Sequence, residues 1–135
     1  MGKSKRSSAE IQIGYGVDAD GRGVAYARTD ASVLRLPFRI SQRSSILDRA
    51  GGYAALVTVA RALLKRGVAS AHFRLPDRQL VEELTKQSRP PDELSLANVR
   101  VRCTLNAMTH CEIEYDDCSE LMQRARAEVA LNLAA

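Results

Sequence analysis

Aromatic side chains are scarce in this 135-residue sequence, which has no tryptophan, two phenylalanines and four tyrosines, or 4% in all. Since 45% of the residues are hydrophobic, we expect a core packed mainly from aliphatic side chains. No apolar run approaches the roughly 20 residues of a membrane-spanning helix, and the basic first residues are not followed by the apolar core of a signal peptide. These absences predict a cytoplasmic protein that makes no contact with membranes.

Cysteine is also scarce, and its pattern excludes two kinds of stabilisation. The three cysteines, Cys103, Cys111 and Cys118, are an odd number at spacings that match neither a CxxC metal site nor a disulfide framework. We therefore expect reduced, mostly buried thiols that pack as small hydrophobic side chains. The formal charge of +4 and the pI near 9.2 favour an anionic partner, although a basic surface also serves solubility alone.

The longest amphipathic segment predicts a central helix from Leu47 to Arg66. Its apolar stripe is broad enough to lie against a sheet, and it consists of Tyr53, Val57, Ala60 and Leu64. Gly67 is typical of the position just past the end of a helix. The residues from Val68 to Leu75 then alternate between apolar and polar, as in a strand with one buried face. Helix and strand therefore form a tight α/β unit around which the other elements can be arranged.

The first nine residues differ from the rest of the chain in composition. Lys3, Lys5 and Arg6 lie there among small residues, with no large apolar side chain after Met1 that a core would bury. Such a segment has little to hold it in place. We therefore expect a disordered basic arm over residues 1–9 and a single folded domain over residues 10–135.

Three strands are predicted before the central helix. Two of them, near residues 10–15 and 24–28, are expected to form a hairpin, because residues 18–23 combine aspartate and glycine in turn-forming order. The third strand covers residues 34–40 and contains Pro37, which has no backbone N–H to donate. A sheet edge tolerates that loss, so we place the third strand at an edge.

The elements after the first α/β unit are less uniform in pattern. Asp77 is a typical N-cap for a second helix. Residues 94–109 fit either a strand, from the alternation around Val101, or a helix, from apolar residues at helical spacing, and we favour the helix. A last strand is predicted from Cys111 to Tyr115, followed by a final helix that begins at Ser119.

This order of elements, from about Glu10 to Leu133, resembles the ribonuclease H family. The central helix of the family has a Glu-Tyr pair followed by Ala-Leu, where this chain has Gly52-Tyr53 and Ala55-Leu56. The next helix of the family is headed by an aspartate and continues Gln-Leu-Val, which is similar to the run from Asp77 to Val81. The closing strand and helix are similar at Glu112 to Tyr115 and Glu120 to Val129.

The resemblance implies an α/β fold with a mixed five-stranded sheet, made of three antiparallel strands and two parallel additions, and with helices on both faces. Members of the family cleave the RNA strand of an RNA/DNA hybrid, using several carboxylates that converge on two Mg²⁺ or Mn²⁺ ions. In this chain Asp77 alone falls where the family has a carboxylate. The other family acids fall on Tyr15 or Gly14, on Gly52, and on Met122 or Gln123.

One carboxylate cannot hold two divalent ions, so the resemblance implies a catalytically impaired domain, a pseudoenzyme without a resident metal or cofactor. Asp77 is then expected to act as a helix cap. A divergent nuclease dependent on Mg²⁺ or Mn²⁺ stays open, because acids elsewhere in the chain are candidates for displaced ligands. These acids are Asp18, Asp20, Asp116, Asp117 and Glu120.

The leading hypothesis is thus a non-catalytic module that binds nucleic acid, such as an RNA/DNA hybrid, or a protein partner. The alternatives are the divergent nuclease, with Asp77 as its catalytic carboxylate, and a structural or homo-oligomeric protein with contacts at Pro37 and at Gly51-Gly52. The candidate nucleic-acid-binding residues are Arg35, Arg39, Arg43 and Arg49. No aromatic residue is interleaved with them, so we expect either a solvated basic face or contacts to phosphates rather than to bases.

Overall fold

The computed structural model describes residues 9–40 and 46–134, which form one mixed sheet flanked by helices. The strands are β1 (Ala9–Val17), β2 (Arg22–Arg28), β3 (Val33–Arg39), β4 (Ser70–Leu75) and β5 (His110–Tyr115). Their order in the sheet is β3-β2-β1-β4-β5. The first three strands pair antiparallel, and β4 and β5 are added in parallel. Of the predicted basic arm, residues 1–8 lie outside the described part of the chain, whereas Ala9 belongs to β1.

The helices are α1 (Leu47–Lys65), α2 (Arg78–Leu84), α3 (Ser95–Leu105) and α4 (Ser119–Ala134). Residues 94–109, which fitted two patterns, are mainly helical, so the helix interpretation is confirmed. Val101 and Leu105 are buried together, whereas Val99, which a strand would place beside them, is 54% exposed. Within residues 9–40 and 46–134, no helix is long and apolar enough to cross a membrane.

Side chains of β1 alternate between two helical layers. Ile11, Ile13 and Tyr15 belong to the large core under α1, whereas Gly14 and Gly16 face α4 on the opposite side of the sheet. A Cβ atom on Gly14 would lie 2.4 Å from the Leu121 backbone of α4, so only glycine allows this close approach. The sheet therefore carries helices on both faces, as predicted.

Pro37 lies on β3, which is an edge strand, as its missing N–H predicts. Its partner in the ladder is Val24 of β2, and the other side of β3 has no strand beside it among the described residues. The edge prediction is confirmed.

The junction between α1 and β4 differs slightly from the prediction. β4 begins at Ser70, two residues later than expected, because the Val68 N–H donates to the Leu63 carbonyl at 3.0 Å and helps to close the helix. Gly67 has φ of +83°, a left-handed conformation that suits glycine at a helix end. The predicted glycine stop is correct, and the strand starts once the carbonyls of the helix end are satisfied.

The three cysteines have free thiols in different surroundings. Cys118 is buried, and burial raises the pKa of its thiol to about 11, so it is protonated at neutral pH. Cys111 is half-buried, and burial likewise raises the pKa of its thiol to about 11. Cys103 is exposed on α3, contrary to the expectation of mostly buried thiols, because the buried side of that helix passes through Val101 and Leu105 instead.

Candidate functional site

A cleft of about 610 Å³ opens at the carboxyl-terminal ends of β1 and β4. These neighbouring strands are parallel, so the residues that follow them meet at one edge of the sheet. The first turns of α1 and α2 form one wall of the cleft, and β1 with α4 forms the other. The lining side chains with relevant chemistry are Tyr15, Asp18, Asp48, Arg49, Asp77, Arg78, Tyr115, Met122 and Arg126.

Asp77 is the N-cap of α2, as the sequence predicts. Its Oδ1 accepts from the N–H groups of Gln79 at 3.0 Å and Leu80 at 3.2 Å. Its Oδ2 lies 3.3 Å from Nε of Arg49. Both carboxylate oxygens therefore already have partners within the chain.

The resemblance places the other family acids at or next to Tyr15, Gly52 and Met122, which are neutral residues. Tyr15 of β1 is 7% exposed, and its N–H donates to the Met122 sulfur at 3.2 Å. A Cβ atom on Gly52 would lie 2.8 Å from the Tyr15 hydroxyl oxygen and 3.1 Å from Cδ2 of Leu80. Tyr15 therefore occupies the space into which a longer side chain at position 52 would extend. Burial, reinforced by the charges of Asp77 and Asp48, raises the pKa of Tyr15, which keeps its hydroxyl neutral.

Gly51 and Gly52 are both buried, which bears on the oligomer surface expected at this helix start. A Cβ atom on Gly51 would meet Cγ1 of Val17 at 3.1 Å. The close approach that favours glycine here thus comes from β1 within the same chain. The pair is not available as an exposed contact surface.

The acids considered as displaced ligands have structural partners instead. Asp18 accepts from the N–H groups of Asp20 at 2.8 Å and Arg22 at 3.0 Å, which closes the β1–β2 turn. The others are also engaged: Asp20 with Arg22, Asp116 with the Cys118 N–H, Asp117 with the Ser119 N–H, and Glu120 with Arg28. Across the described ranges, no three Asp, Glu, His or Cys side chains lie close enough to share an ion. The residues present do not fit a two-ion centre.

Arg49 lines the cleft and contacts two carboxylates. Its Nη2 is 2.5 Å from Oε2 of Glu83, while its Nε approaches Asp77, so one guanidinium bridges two carboxylates. The Arg49 side chain is 19% exposed and that of Glu83 is completely buried. Burial opposes the charge of Arg49, but the close contact with the charged Glu83, together with the charge of Asp77, outweighs it and raises the pKa of Arg49.

Glu83 also joins three helices through a buried polar network. Its Oε1 accepts from the Tyr53 hydroxyl of α1 at 2.6 Å, and that hydroxyl accepts from Nδ2 of Asn98 of α3 at 3.0 Å. Arg102 completes the chain, donating to Oδ1 of Asn98 and to the backbone carbonyl of Glu83, both at 2.7 Å. Burial and the bond to Glu83 raise the pKa of Tyr53, so its hydroxyl remains a donor.

The predicted nucleic-acid-binding arginines are not brought to one surface. Arg35 on β3 donates to the carboxylate of Glu128 on α4, which also accepts from Tyr26. Arg39 is exposed at the end of β3, and Arg43 lies outside the described residues. With Arg49 inside the cleft, Arg35 and Arg39 are the described members of the set at the molecular surface.

Two exposed arginines that the sequence analysis did not single out line the cleft. Arg78, at the start of α2, stacks over the ring of Tyr115 at 3.9 Å from the centroid. Arg126 lies on the facing side of α4. Neither has an ion pair with any residue in the described ranges. The only sequence signal for them was position, since Arg78 follows the cap residue and Arg126 lies one turn after Met122.

No protein-family model matches this sequence, and no curated protein is significantly similar to it. Solved structures are similar in fold. RNase H1 from the halophilic archaeon Halobacterium salinarum NRC-1 superposes with a TM-score of 0.74 at 16% identity, covering 93% of this chain and 99% of that one. The N-terminal RNase H domain of a Mycobacterium tuberculosis protein, solved as a fusion with maltose binding protein, gives 0.69 at 15% identity with the same coverages, 93% and 99%. The chain therefore has a ribonuclease H-like fold.

Proposed function

We propose that this chain is a ribonuclease H-like module that binds nucleic acid without cleaving it. The observation that carries the proposal is that Tyr15 fills the space beside Gly52 that a longer side chain would need, while Tyr15 and Met122 are themselves neutral. Two-ion cleavage of a phosphodiester requires several carboxylates to hold the metals on both sides of the scissile bond. Asp77 instead caps α2 and pairs with Arg49. No resident metal or other cofactor is part of the proposed function.

Charge and shape support nucleic acid as the partner. The chain carries a formal charge of +4, and Arg78 and Arg126 are exposed on opposite sides of the cleft. Arginine side chains of this kind suit contacts with phosphate oxygens. The half-buried Tyr115 ring beneath Arg78 adds a planar surface at the rim. We propose the cytoplasm as the place of action, consistent with the free thiols of all three cysteines.

The binding test uses fluorescence anisotropy with an RNA/DNA hybrid, a DNA duplex and a single strand at several salt concentrations. We expect weak binding that depends on salt. The logarithm of the association constant should fall by roughly 0.7 to 0.9 per unit of the logarithm of salt concentration for each phosphate contact. Arg78→Glu combined with Arg126→Glu should weaken binding to all three probes. The matched control is Arg66→Glu, an exposed arginine at the end of α1 and outside the cleft. Equal binding by the double variant and the control would contradict the proposed surface.

The cleavage test incubates the same hybrid with the wild-type chain in Mg²⁺ and in Mn²⁺. We expect no product above a protein-free background. Cleavage that copurifies with the chain and disappears in Asp77→Asn would overturn the proposed function, because that carboxylate would then be a ligand of a working site.

A divergent nuclease is the second candidate, favoured by one observation. The exposed Asp48 and the half-buried Asp77 line the same cleft, and the charges of both raise the pKa of Tyr15. Two carboxylates with water molecules are enough for a single Mg²⁺ ion. Under this alternative, Asp48→Asn and Asp77→Asn should each abolish Mn²⁺-dependent cleavage, whereas Asp117→Asn, near the start of α4, should not.

A further inference from the structure

Arg49 lies as a cation between Asp77, which lines the cleft, and Glu83, a completely buried acid behind it. Nε is 3.3 Å from Asp77 and Nη2 is 2.5 Å from Glu83. Asp77 precedes α2 as its N-cap, and Glu83 lies near the end of the same helix. Arg49 reaches both from the first turn of α1. A single positive group therefore compensates two carboxylates that come from a different helix.

The buried Glu83 carboxylate requires a cation beside it. Its side chain is completely buried, and an ionised carboxylate without compensation is strongly disfavoured in such a place. Tyr53 donates to Oε1, but Oε2 receives no aligned hydrogen bond within the described ranges, although Nη2 of Arg49 lies beside it. The attraction at Oε2 is thus chiefly one of charge. A positive ion of different geometry would satisfy the same oxygen.

We propose that the Arg49 guanidinium is a built-in cation that takes the place of a divalent metal between Asp77 and Glu83 and closes the cleft to metal ions. The inference rests on the proposed non-cleaving function and deepens it, since it says what compensates the remaining acids. Because the cation is covalently attached, the fold is independent of metal concentration. Removal of Arg49 should expose a latent divalent-ion site formed by Asp77 and Glu83.

The experiment compares melting temperatures of full-length variants in EDTA and in millimolar MnCl₂, MgCl₂ or CaCl₂. The test variant is Arg49→Met, which keeps much of the side-chain volume without the charge. The matched control is Arg78→Met, since Arg78 lines the same cleft but has no ion pair with Glu83. A third variant, Arg49→Met with Glu83→Gln, removes both members of the buried pair.

In EDTA, Arg49→Met should melt roughly 10 °C below the wild type, because a buried carboxylate has lost its partner. Mn²⁺ should raise its melting temperature by several degrees, and it should bind about one Mn²⁺ more than the wild type by electron paramagnetic resonance. Wild type and Arg78→Met should not respond to metal. In the paired variant the metal response should disappear, and its melting temperature in EDTA should exceed that of Arg49→Met.

Three results would overturn the inference: no metal response in Arg49→Met, an equal response in the wild type, or a response that persists without the Glu83 carboxylate. If Arg49→Met does not fold in EDTA, two further observations decide: whether Arg49→Met refolds in MnCl₂, and whether the paired variant folds in EDTA. Folding in both cases supports the inference, and failure to fold in both cases contradicts it. Nucleic-acid binding by the wild type is a separate measurement, so its absence would remove the proposed function while leaving the melting result intact.

Discussion

The two walls of the cleft differ in how they deal with carboxyl groups. On the wall of β1 and α4, the Tyr15 N–H donates to the Met122 sulfur, and the Tyr15 side chain fills the space over Gly52. On the wall of α1 and α2, Asp77 lines the cleft, Glu83 lies buried behind it, and Arg49 contacts both carboxylates. One side of the cleft is therefore stabilised by neutral packing, whereas the buried acid on the other side requires a cation in contact with it.

The largest expected effect comes from removing the Glu83 carboxylate, which contacts Arg49 and Tyr53. Glu83→Ala leaves Arg49 without its buried partner and also removes the acceptor for Tyr53, so we expect the free energy of unfolding to fall by roughly 3–5 kcal/mol. Urea unfolding monitored by circular dichroism measures the change. Glu82→Ala, on the exposed side of the same helix, is the control and should stay within about 0.5 kcal/mol of the wild type.

The packing between the two walls can be tested through the contact between Tyr15 of β1 and Gly52 of α1. Alanine at position 52 places a methyl group 2.8 Å from the Tyr15 hydroxyl oxygen, so Gly52→Ala should destabilise by about 1–3 kcal/mol despite its better helix propensity. Tyr15→Phe removes that oxygen, and the double variant should regain part of the loss. Additive effects in the double-mutant cycle would show that the hydroxyl is not what excludes a side chain at position 52.

A smaller effect is expected at Asp77, where the wall formed by α1 and α2 meets solvent. Asp77→Ala removes the cap of α2 and should lower the free energy of unfolding by roughly 0.5–2 kcal/mol. Asp77→Asn keeps a capping oxygen but loses the charge beside Arg49, so it separates the two roles. In the wild type, Mg²⁺ should leave the melting temperature unchanged. Asp92→Ala is the control, because Asp92 lies in the first turn of a short 3₁₀ helix without capping it.

The smallest effect concerns an ion pair outside the cleft, between Arg35 and Glu128. The hydrogen bond from Arg35 lowers the pKa of Glu128 below its ordinary value of 4.5, although burial opposes the shift. A carboxyl group with a lowered pKa stabilises the fold above its unfolded pKa and loses that contribution as pH falls through its folded pKa. Arg35→Gln should therefore lower the urea midpoint at pH 7, and the difference from wild type should vanish at acidic pH. An undiminished difference at pH 3 would exclude this ion pair as the cause.

Local patterns predicted much of the fold because each depends on neighbours in sequence. The edge position of Pro37, the glycine stop at Gly67 and the cap at Asp77 follow from backbone donors and acceptors within a few residues. The helical interpretation of residues 94–109 was correct for a similar reason, since its apolar spacing continues over three turns.

The candidate site was less predictable, because its contacts join distant residues. Arg49 was read as a surface residue, and nothing in its local pattern indicates that Glu83, from another helix, lies beside it. Glu83 itself looks like one more acid of a polar helix face, although it precedes the buried Leu84. Spacing likewise could not show that Tyr15 would fill the space over Gly52, which depends on how closely α1 lies on the sheet.

The network through Tyr53, Glu83 and Asn98 has a consequence for how the domain opens. α2 has seven residues, and a helix of that length is marginal by itself in water. Because the buried Glu83 side chain is bonded to Tyr53 and Arg49 of α1, and the Glu83 carbonyl accepts from Arg102 of α3, α2 cannot unwind alone without breaking contacts in both. Its amides should therefore exchange with deuterium as slowly as those of α1, and the wall of the cleft should be a rigid surface to which an incoming molecule must conform.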